Sequence, residues 1–248
     1  MAAFDGAGKV ALITGGSNGI GAAVARLLAD RGVRLVLADI DDERGGALAE
    51  ELGGRFVHCD VRDPSHSEAA VAAAVEAFGG LDVAFLNAGV TSGCGIEDGF
   101  DAETYRRAMA INLDGVVYGV HAALPALRAR GGGDIIVTAS MAGLTPTPFD
   151  PFYGANKAAV VALARALGPA YAPEGIRVNA LCPSFADTAI LGDMKGDLER
   201  TGFPILEVDD VVQAFGAILD GEDTGEAWFV VPGREPGPFK FRGVPGPR

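Results

Sequence analysis

A glycine-rich turn between a short apolar run and a helical segment is the feature that most limits what this chain can fold into. Residues 9–14 are typical of a strand, residues 22–30 are typical of a helix, and Gly15, Gly19 and Gly21 lie between them. Strand, glycine turn and helix, in this order, are the context of a dinucleotide-binding site. Glycine allows the tight turn and lets the backbone approach a pyrophosphate at the helix N-terminus.

The rest of the chain alternates strands with helices. We predict further strands at residues 34–39, 55–59, 82–86, 134–139, 175–181 and 226–231, and helices at 42–52, 64–78, 102–130, 153–167 and 208–219. This alternation predicts an α/β fold with a single doubly wound parallel sheet of the Rossmann type, about seven strands with helices on both faces. Residues 1–233 then form one dinucleotide-binding domain, with 189–205 as a mobile lid and 234–248 as an extended Pro/Gly-rich tail.

Composition and charge exclude several classes of function. The chain has 248 residues and a formal net charge of −13 at pH 7. That charge speaks against nucleic acid and against an anionic membrane surface as partners, because both bind clustered Lys and Arg. The three cysteines and three histidines show no metal-ligand spacing, so no metal is expected. Neither a signal peptide nor an uncharged membrane-spanning run is evident, and we expect a cytoplasmic protein.

Acidic and small residues at strand ends are placed to bind an adenosine group. Asp39 ends the second strand, about 20 residues beyond the glycine turn, where a carboxylate can accept hydrogen bonds from a ribose. The alternative is that Asp39 caps the helix that begins near residue 42. Asp60 and Val61 close the third strand, where they could flank an adenine ring.

Tyr153 and Lys157 lie four residues apart in an alanine-rich helical run, so they share one helix face. A nearby cation favours the phenolate, and a phenol tuned in this way can exchange a proton with a substrate hydroxyl or carbonyl. Taken alone, the pair could be a chance pattern on a helix. Ser140 follows the fifth predicted strand, and Asn112 is a polar residue inside an apolar helical stretch that must find a partner.

Together these residues resemble the short-chain dehydrogenases/reductases over nearly the whole chain, residues 8–233. The motifs are the glycine turn of residues 14–21, Asp60, Asn87-Ala88-Gly89, Asn112, Ser140, Tyr153 with Lys157, and Pro183 with Thr188. Residues 179–191 also resemble, locally, the NAD-dependent hydroxyprostaglandin dehydrogenase branch. The chain departs from the family pattern at Leu86 and at Ser184, where Asn and Gly are usual.

The resemblance implies a role for each of these residues. Tyr153 would be the general acid/base, Lys157 would lower its pKa and hold the nicotinamide ribose, and Ser140 would hydrogen-bond the substrate oxygen. Asn112 would anchor a water in a proton relay with Lys157. The cofactor is expected to be NAD, with no metal. Its binding residues would be Gly15, Ser17, Asn18, Gly19, Ile20, Gly21, Asp39, Ile40, Asp60, Val61, Asn87, Ala88, Gly89, Tyr153, Lys157, Pro183, Phe185 and Thr188.

The expected activity is interconversion of a secondary alcohol and a ketone by hydride transfer, on an apolar substrate such as a steroid, ring or long-chain hydroxy compound. The substrate-binding residues would be Ser140, Met141, Phe149, Tyr153, Phe185 and Leu191. Leu144, Phe152, Ile190 and Met194 are also expected around the cleft. Two alternatives are a non-catalytic dinucleotide-binding redox sensor and an NADPH-dependent ketoacyl reductase. The resemblance also implies a homodimer or homotetramer.

Overall fold

One eight-stranded sheet runs through the computed structural model, which describes residues 4–243. The strands are β1 Val10–Thr14, β2 Arg34–Asp39, β3 Arg55–His58, β4 Val83–Leu86, β5 Gly133–Thr138, β6 Ile176–Pro183, β7 Ala227–Val230 and β8 Gly237–Pro238. Their order is β3-β2-β1-β4-β5-β6-β7-β8, and β1 to β7 are parallel. The order reverses at β1 and β4, and ligands bind at such a switch point in open α/β sheets.

Helices cover both faces of the sheet. They are α1 Gly19–Asp30, α2 Asp42–Glu51, α3 Pro64–Phe78, α4 Ala102–Met109, α5 Gly115–Ala129, α6 Pro151–Tyr171, α7 Met194–Thr201 and α8 Val208–Asp220. Side chains of α3, α5 and α6 pack into the core on one face, and those of α1, α2 and α8 pack into the core on the other. Along β1, Val10 and Leu12 face the first core while Ala11 and Ile13 face the second, as the two-residue strand period requires. The predicted fold class is therefore confirmed.

The predicted helix at 102–130 is continuous but not uniform. A π-helical segment, Ala110–Asp114, joins α4 to α5. Among the helices of residues 4–243, this stretch, Ala102–Ala129, passes the length and composition test for a membrane span, with half of its apolar window buried inside the protein. It packs against α3 and the sheet, as a core helix does.

Two segments contain elements that the sequence did not predict. The tail forms β8, which pairs antiparallel with β7, and the Arg165 guanidinium lies 3.6 Å from the centre of the Phe241 ring. Residues 244–248 of the tail lie outside the described residues. In the predicted lid, Met194–Thr201 is helical, and none of its residues is fully buried.

Candidate active site

A cleft of about 800 Å³ opens at the carboxyl ends of the parallel strands. All the predicted site residues line it except Gly21 and Asn112. The cleft runs from the glycine turn and the end of β2, past the end of β4, to the start of α6 and the segment after β6. Within residues 4–243, no group of three or more His, Cys, Asp or Glu side chains could hold a metal ion.

The glycine turn is shaped so that a diphosphate can approach the backbone at the start of α1. Gly19 has a φ of 51°, which disfavours any residue with a side chain, and Asn18 caps α1 by accepting from Gly19 N at 2.7 Å. Gly21 is buried: a side-chain carbon there would lie 2.0 Å from the Gly15 carbonyl oxygen. The turn therefore fits the pyrophosphate of a dinucleotide, and Gly21 shapes it from behind rather than from the cleft wall.

Asp39 joins the end of β2 to the glycine turn. Its Oδ2 accepts from Ser17 N at 3.0 Å, and its Oδ1 accepts from Asp41 N at 3.1 Å. The alternative that Asp39 caps α2 is wrong, because the N-cap is Asp41, which accepts from Arg44 N at 3.0 Å. Arg44 lines the cleft, a position that the sequence did not reveal, and its Nε is paired with Asp41 at 2.7 Å.

The end of β3 forms the other wall of the adenosine end. Arg62 Nε donates to both oxygens of Asp60 at 2.9 Å, and this contact holds the pKa of that carboxyl below its usual value. Val61 and Cys59 are buried beside it. Arg62 and Cys59 line the cleft but were not predicted, since neither belongs to a recognisable motif.

Asn87 fastens three strand ends together. Its Nδ2 donates to the Gly15 carbonyl at 3.2 Å, and its Oδ1 accepts from Thr138 Oγ1 at 3.0 Å. Its backbone nitrogen donates to Thr14 Oγ1 at 3.0 Å. The two threonines each end a strand, Thr14 at the end of β1 and Thr138 at the end of β5. Asn87 therefore holds the glycine turn in register with the middle of the sheet.

Tyr153, Lys157 and Ser140 meet where β5 ends and α6 begins. Asp150 caps α6 by accepting from Tyr153 N at 3.0 Å, which places Tyr153 in the first turn of the helix. Lys157 is buried, and its Nζ donates to the Thr138 carbonyl at 2.7 Å and lies 5.7 Å from the centre of the Tyr153 ring. The Ser140 hydroxyl accepts from Ala142 N at 3.1 Å and donates to the Pro183 carbonyl at 3.4 Å.

Burial dominates the electrostatics of this group. It raises the pKa of Tyr153 to about 12 and lowers the pKa of Lys157 to about 8, since both charged forms lose hydration. The expectation that Lys157 lowers the pKa of Tyr153 is wrong for this structure, in which the ammonium group is directed to the Thr138 carbonyl. The neighbouring Ser140 side chain lowers the pKa of Tyr153, and Asp150 and Cys182 raise it further.

Asn112 lies in the π-helical segment, fully buried behind the cleft. Its Oδ1 accepts from Val90 N at 2.9 Å and its Nδ2 donates to the Val90 carbonyl at 2.8 Å. A side-chain carbon on Gly89 would lie 3.2 Å from Asn112 Oδ1 and 3.3 Å from Lys157 Nζ. The side chain of Asn112 thus holds the backbone that follows β4. Gly89 lies between Asn112 Oδ1 and Lys157 Nζ.

The opposite end of the cleft is apolar and aromatic. The Phe185 ring centre is 6.0 Å from that of Phe149 and 5.3 Å from that of Phe203, which was not predicted. Other large apolar side chains that line the cleft include Val90, Met141, Ile190, Leu191 and Met194.

Leu144 and Phe152, which were expected around the cleft, do not line it. Leu144 packs against the core beside α6. Phe152 packs on Tyr105, with ring centres 4.9 Å apart, because consecutive residues of a helix point in different directions.

Comparisons with known proteins agree with this geometry. A family model described as short chain dehydrogenase matches residues 9–199. A 3-alpha-(or 20-beta)-hydroxysteroid dehydrogenase of Mycobacterium bovis is 37% identical over 233 residues, which are 91% of this chain and 88% of that protein. A cyclohexanol dehydrogenase of an Acinetobacter species is 38% identical over 192 residues, 75% of this chain and 76% of that protein.

Solved structures are also similar over nearly the whole described fold, and one of them has a named activity and a bound cofactor. It is the 3-ketoacyl-(acyl-carrier-protein) reductase from Brucella melitensis complexed with NADH. The TM-score is 0.84 at 31% sequence identity, covering 92% of this chain and 99% of that one.

Proposed function

This chain belongs to the short-chain dehydrogenase family, and we propose that it is an NAD-dependent enzyme that interconverts a secondary alcohol and a ketone on an apolar ring compound. An oxidoreductase follows from the family itself. The observation that carries the finer proposal is the position of Tyr153, Ser140 and Lys157 in one cleft whose far end holds Asp39.

The acid/base step falls to Tyr153. NAD, when bound, supplies the acceptor for the hydride that leaves the substrate carbon. The Tyr153 oxygen takes the hydroxyl proton of the alcohol during oxidation and returns a proton to the carbonyl oxygen during reduction. Ser140, which lines the cleft beside Tyr153, is placed to hydrogen-bond the same substrate oxygen. Oxidation requires the phenolate, and since the pKa of Tyr153 is raised, alcohol oxidation is expected to accelerate as pH rises.

The adenosine end supports NAD as the cofactor. A carboxylate at Asp39 can accept from the free ribose hydroxyls of NAD and repels the additional phosphate of NADP. The two guanidinium groups nearby, on Arg44 and Arg62, are already paired with Asp41 and Asp60. Ile40, beside Asp39, is exposed and apolar.

The substrate end supports an apolar ring compound. The three phenylalanines at the rim offer flat apolar surfaces, and ring substrates gain contact area from such surfaces. Among the described residues that line the cleft, the cations are Arg44, Arg62, Arg107 and Lys157, and the first two lie at the adenosine end. The relatives named for a hydroxysteroid and for cyclohexanol support the same substrate class.

The test is turnover by the purified protein with a panel of secondary alcohols, cyclic, steroidal and linear, with NAD and with NADP. We expect formation of NADH with cyclic or steroidal alcohols. Binding of NAD without turnover of any alcohol or ketone would instead support a redox sensor. Turnover confined to NADPH and ketoacyl thioesters would support a ketoacyl reductase.

A further inference from the structure

Asp150 makes contacts on two sides at the substrate end of the cleft. On one side its Oδ1 accepts from Tyr153 N at 3.0 Å and begins α6. On the other side its Oδ2 accepts from Ser92 N at 3.0 Å, and Ser92 Oγ donates to its Oδ1. Ser92 is buried and lies in the loop that follows β4, which we call the β4 loop, residues 89–95. One carboxylate thus connects the turn that carries Tyr153 to a second wall of the cleft.

We propose that Asp150 is a positioning residue, which holds the β4 loop across the substrate end of the cleft and fixes Tyr153 in the first turn of α6. The β4 loop contributes Gly89, Val90 and Thr91 to the cleft lining. Its first half is fixed by Asn112, which binds both backbone groups of Val90. Asp150 fixes the second half. The loop is therefore held at Val90 by Asn112, 22 residues later in the chain, and at Ser92 by Asp150, 58 residues later.

The charge of Asp150 acts on the same site. Its carboxylate is one of the groups that raise the pKa of Tyr153, because a negative charge opposes formation of the phenolate. The other charged side chains that line this end are Lys157 on α6 and Arg107 on α4. Cys182 on β6 also raises the pKa of Tyr153, and Cys94 follows Ser92 in the β4 loop. The short helix Met141–Gly143, which packs against α6, carries no titratable side chain.

Two variants separate the tether from the charge. Asp150→Asn removes the charge and leaves a single side-chain oxygen, which cannot accept from both Tyr153 N and Ser92 N as the two carboxylate oxygens do. Ser92→Ala removes the hydroxyl that donates to Asp150, one of the two contacts of the tether, and leaves the charge, the helix cap and the contact from Ser92 N in place. The kinetic measurements in this inference rest on the proposed function, whereas hydrogen exchange can be measured on the protein whatever its activity.

We expect both variants to increase amide hydrogen exchange in residues 89–95 and to raise KM for the alcohol by roughly 3- to 10-fold, the effect of one lost hydrogen bond. Only Asp150→Asn should move the rising limb of alcohol oxidation to lower pH, because only that variant removes the charge beside Tyr153. The proposal would be overturned if, in both variants, amide hydrogen exchange in residues 89–95 equalled that of the unmodified protein. This outcome does not depend on whether the variants are active. A pH profile that moves equally in both variants would also overturn it. If the unmodified protein turned over no alcohol while both variants still showed increased hydrogen exchange, only the proposed function would be contradicted.

Discussion

At the scale of single residues, Asp39 is the group that we propose selects between NAD and NADP. Its two oxygens accept from Ser17 N and Asp41 N, so the carboxylate is held at the end of β2 by backbone groups rather than by a cation. A carboxylate oxygen can accept more than one hydrogen bond. Asp39 therefore keeps the capacity to accept from ribose hydroxyls and keeps its negative charge.

Replacing Asp39 with Ala is predicted to narrow the preference for NAD over NADP, because it removes both an acceptor for the ribose hydroxyls of NAD and the charge that repels the additional phosphate of NADP. Two unit charges 4 Å apart repel by about 4 kcal/mol at an effective dielectric near 20. Even about 3 kcal/mol corresponds to roughly a hundredfold preference. The measurement is kcat/KM with both cofactors for the unmodified protein and for Asp39→Ala. Comparable values for the two cofactors in the unmodified protein would show that Asp39 does not select the ribose.

The same scale shows what the sequence could and could not predict of the site. Tyr153 and Lys157 were found because helix geometry places residues four apart on one face. The partners of Asn112 and Asp150 were not predicted. Val90 is 22 residues from Asn112 and Ser92 is 58 residues from Asp150, and no periodicity links a loop to a distant helix. The pKa of Tyr153 was expected to fall and is raised, because burial cannot be judged from a pair of residues.

At the scale of elements, Arg177 and Asp134 join β6, β5 and α8 on the side of the sheet away from the cleft. The Arg177 guanidinium lies 2.6 Å from Asp134 Oδ1 and also donates to the carbonyls of Leu219 and Gly221 at the end of α8. A guanidinium that satisfies free carbonyls at a helix C-terminus also suits the helix dipole. Burial raises the pKa of Asp134 to about 6 even beside this cation.

Replacing Arg177 with Met is predicted to lower the free energy of unfolding by about 3–5 kcal/mol at neutral pH, since it leaves Asp134 buried without a partner. The loss should be small near pH 4 and grow as pH rises, because a carboxyl with a raised pKa in the folded state costs stability once it is ionised. Denaturant unfolding between pH 4 and pH 8 measures this. The control is Arg128→Met, which breaks an exposed pair with Glu174 and should change stability by about 1 kcal/mol or less. Equal losses in the two variants would contradict the prediction.

The strands and helices also differ in how well the sequence predicts them. The strands from β1 to β7 were predicted because each is an apolar run between turns. β8 has two residues, Gly237 and Pro238, and its pairing with β7 depends on where the tail lies rather than on its composition. α7 has eight residues with two apolar positions, Met194 and Leu198, and a pattern this short was interpreted as a loop.

At the scale of the whole molecule, helices α3 and α5 expose an apolar surface. Val75 on α3 and Val117 on α5 are 44% and 42% exposed in the described chain. A groove of about 460 Å³ runs between these helices and is lined by Val71, Val75, Ala122, Pro125 and Ala126 among others. Apolar surface of this kind is commonly covered by a second subunit.

We predict a homodimer or homotetramer, as the family resemblance implies. Light scattering at micromolar concentration measures the mass directly. Val117→Glu, which introduces a charge on the exposed face of α5, should shift the mass towards the monomer. A matched charge on an exposed position of α7, Thr201→Glu, should leave the mass unchanged. A monomeric mass for the unmodified protein would contradict the prediction.

The most direct test of the account is the turnover number of Tyr153→Phe with NAD and a cyclic secondary alcohol that the unmodified protein oxidises. The change removes one oxygen from a partly buried side chain and leaves the ring beside Lys157 in place. If Tyr153 is the general acid/base, kcat falls by a factor of about 10² to 10⁴ while the Kd of NAD changes little. A variant that binds NAD normally and turns over at close to the unmodified rate would contradict the central claim.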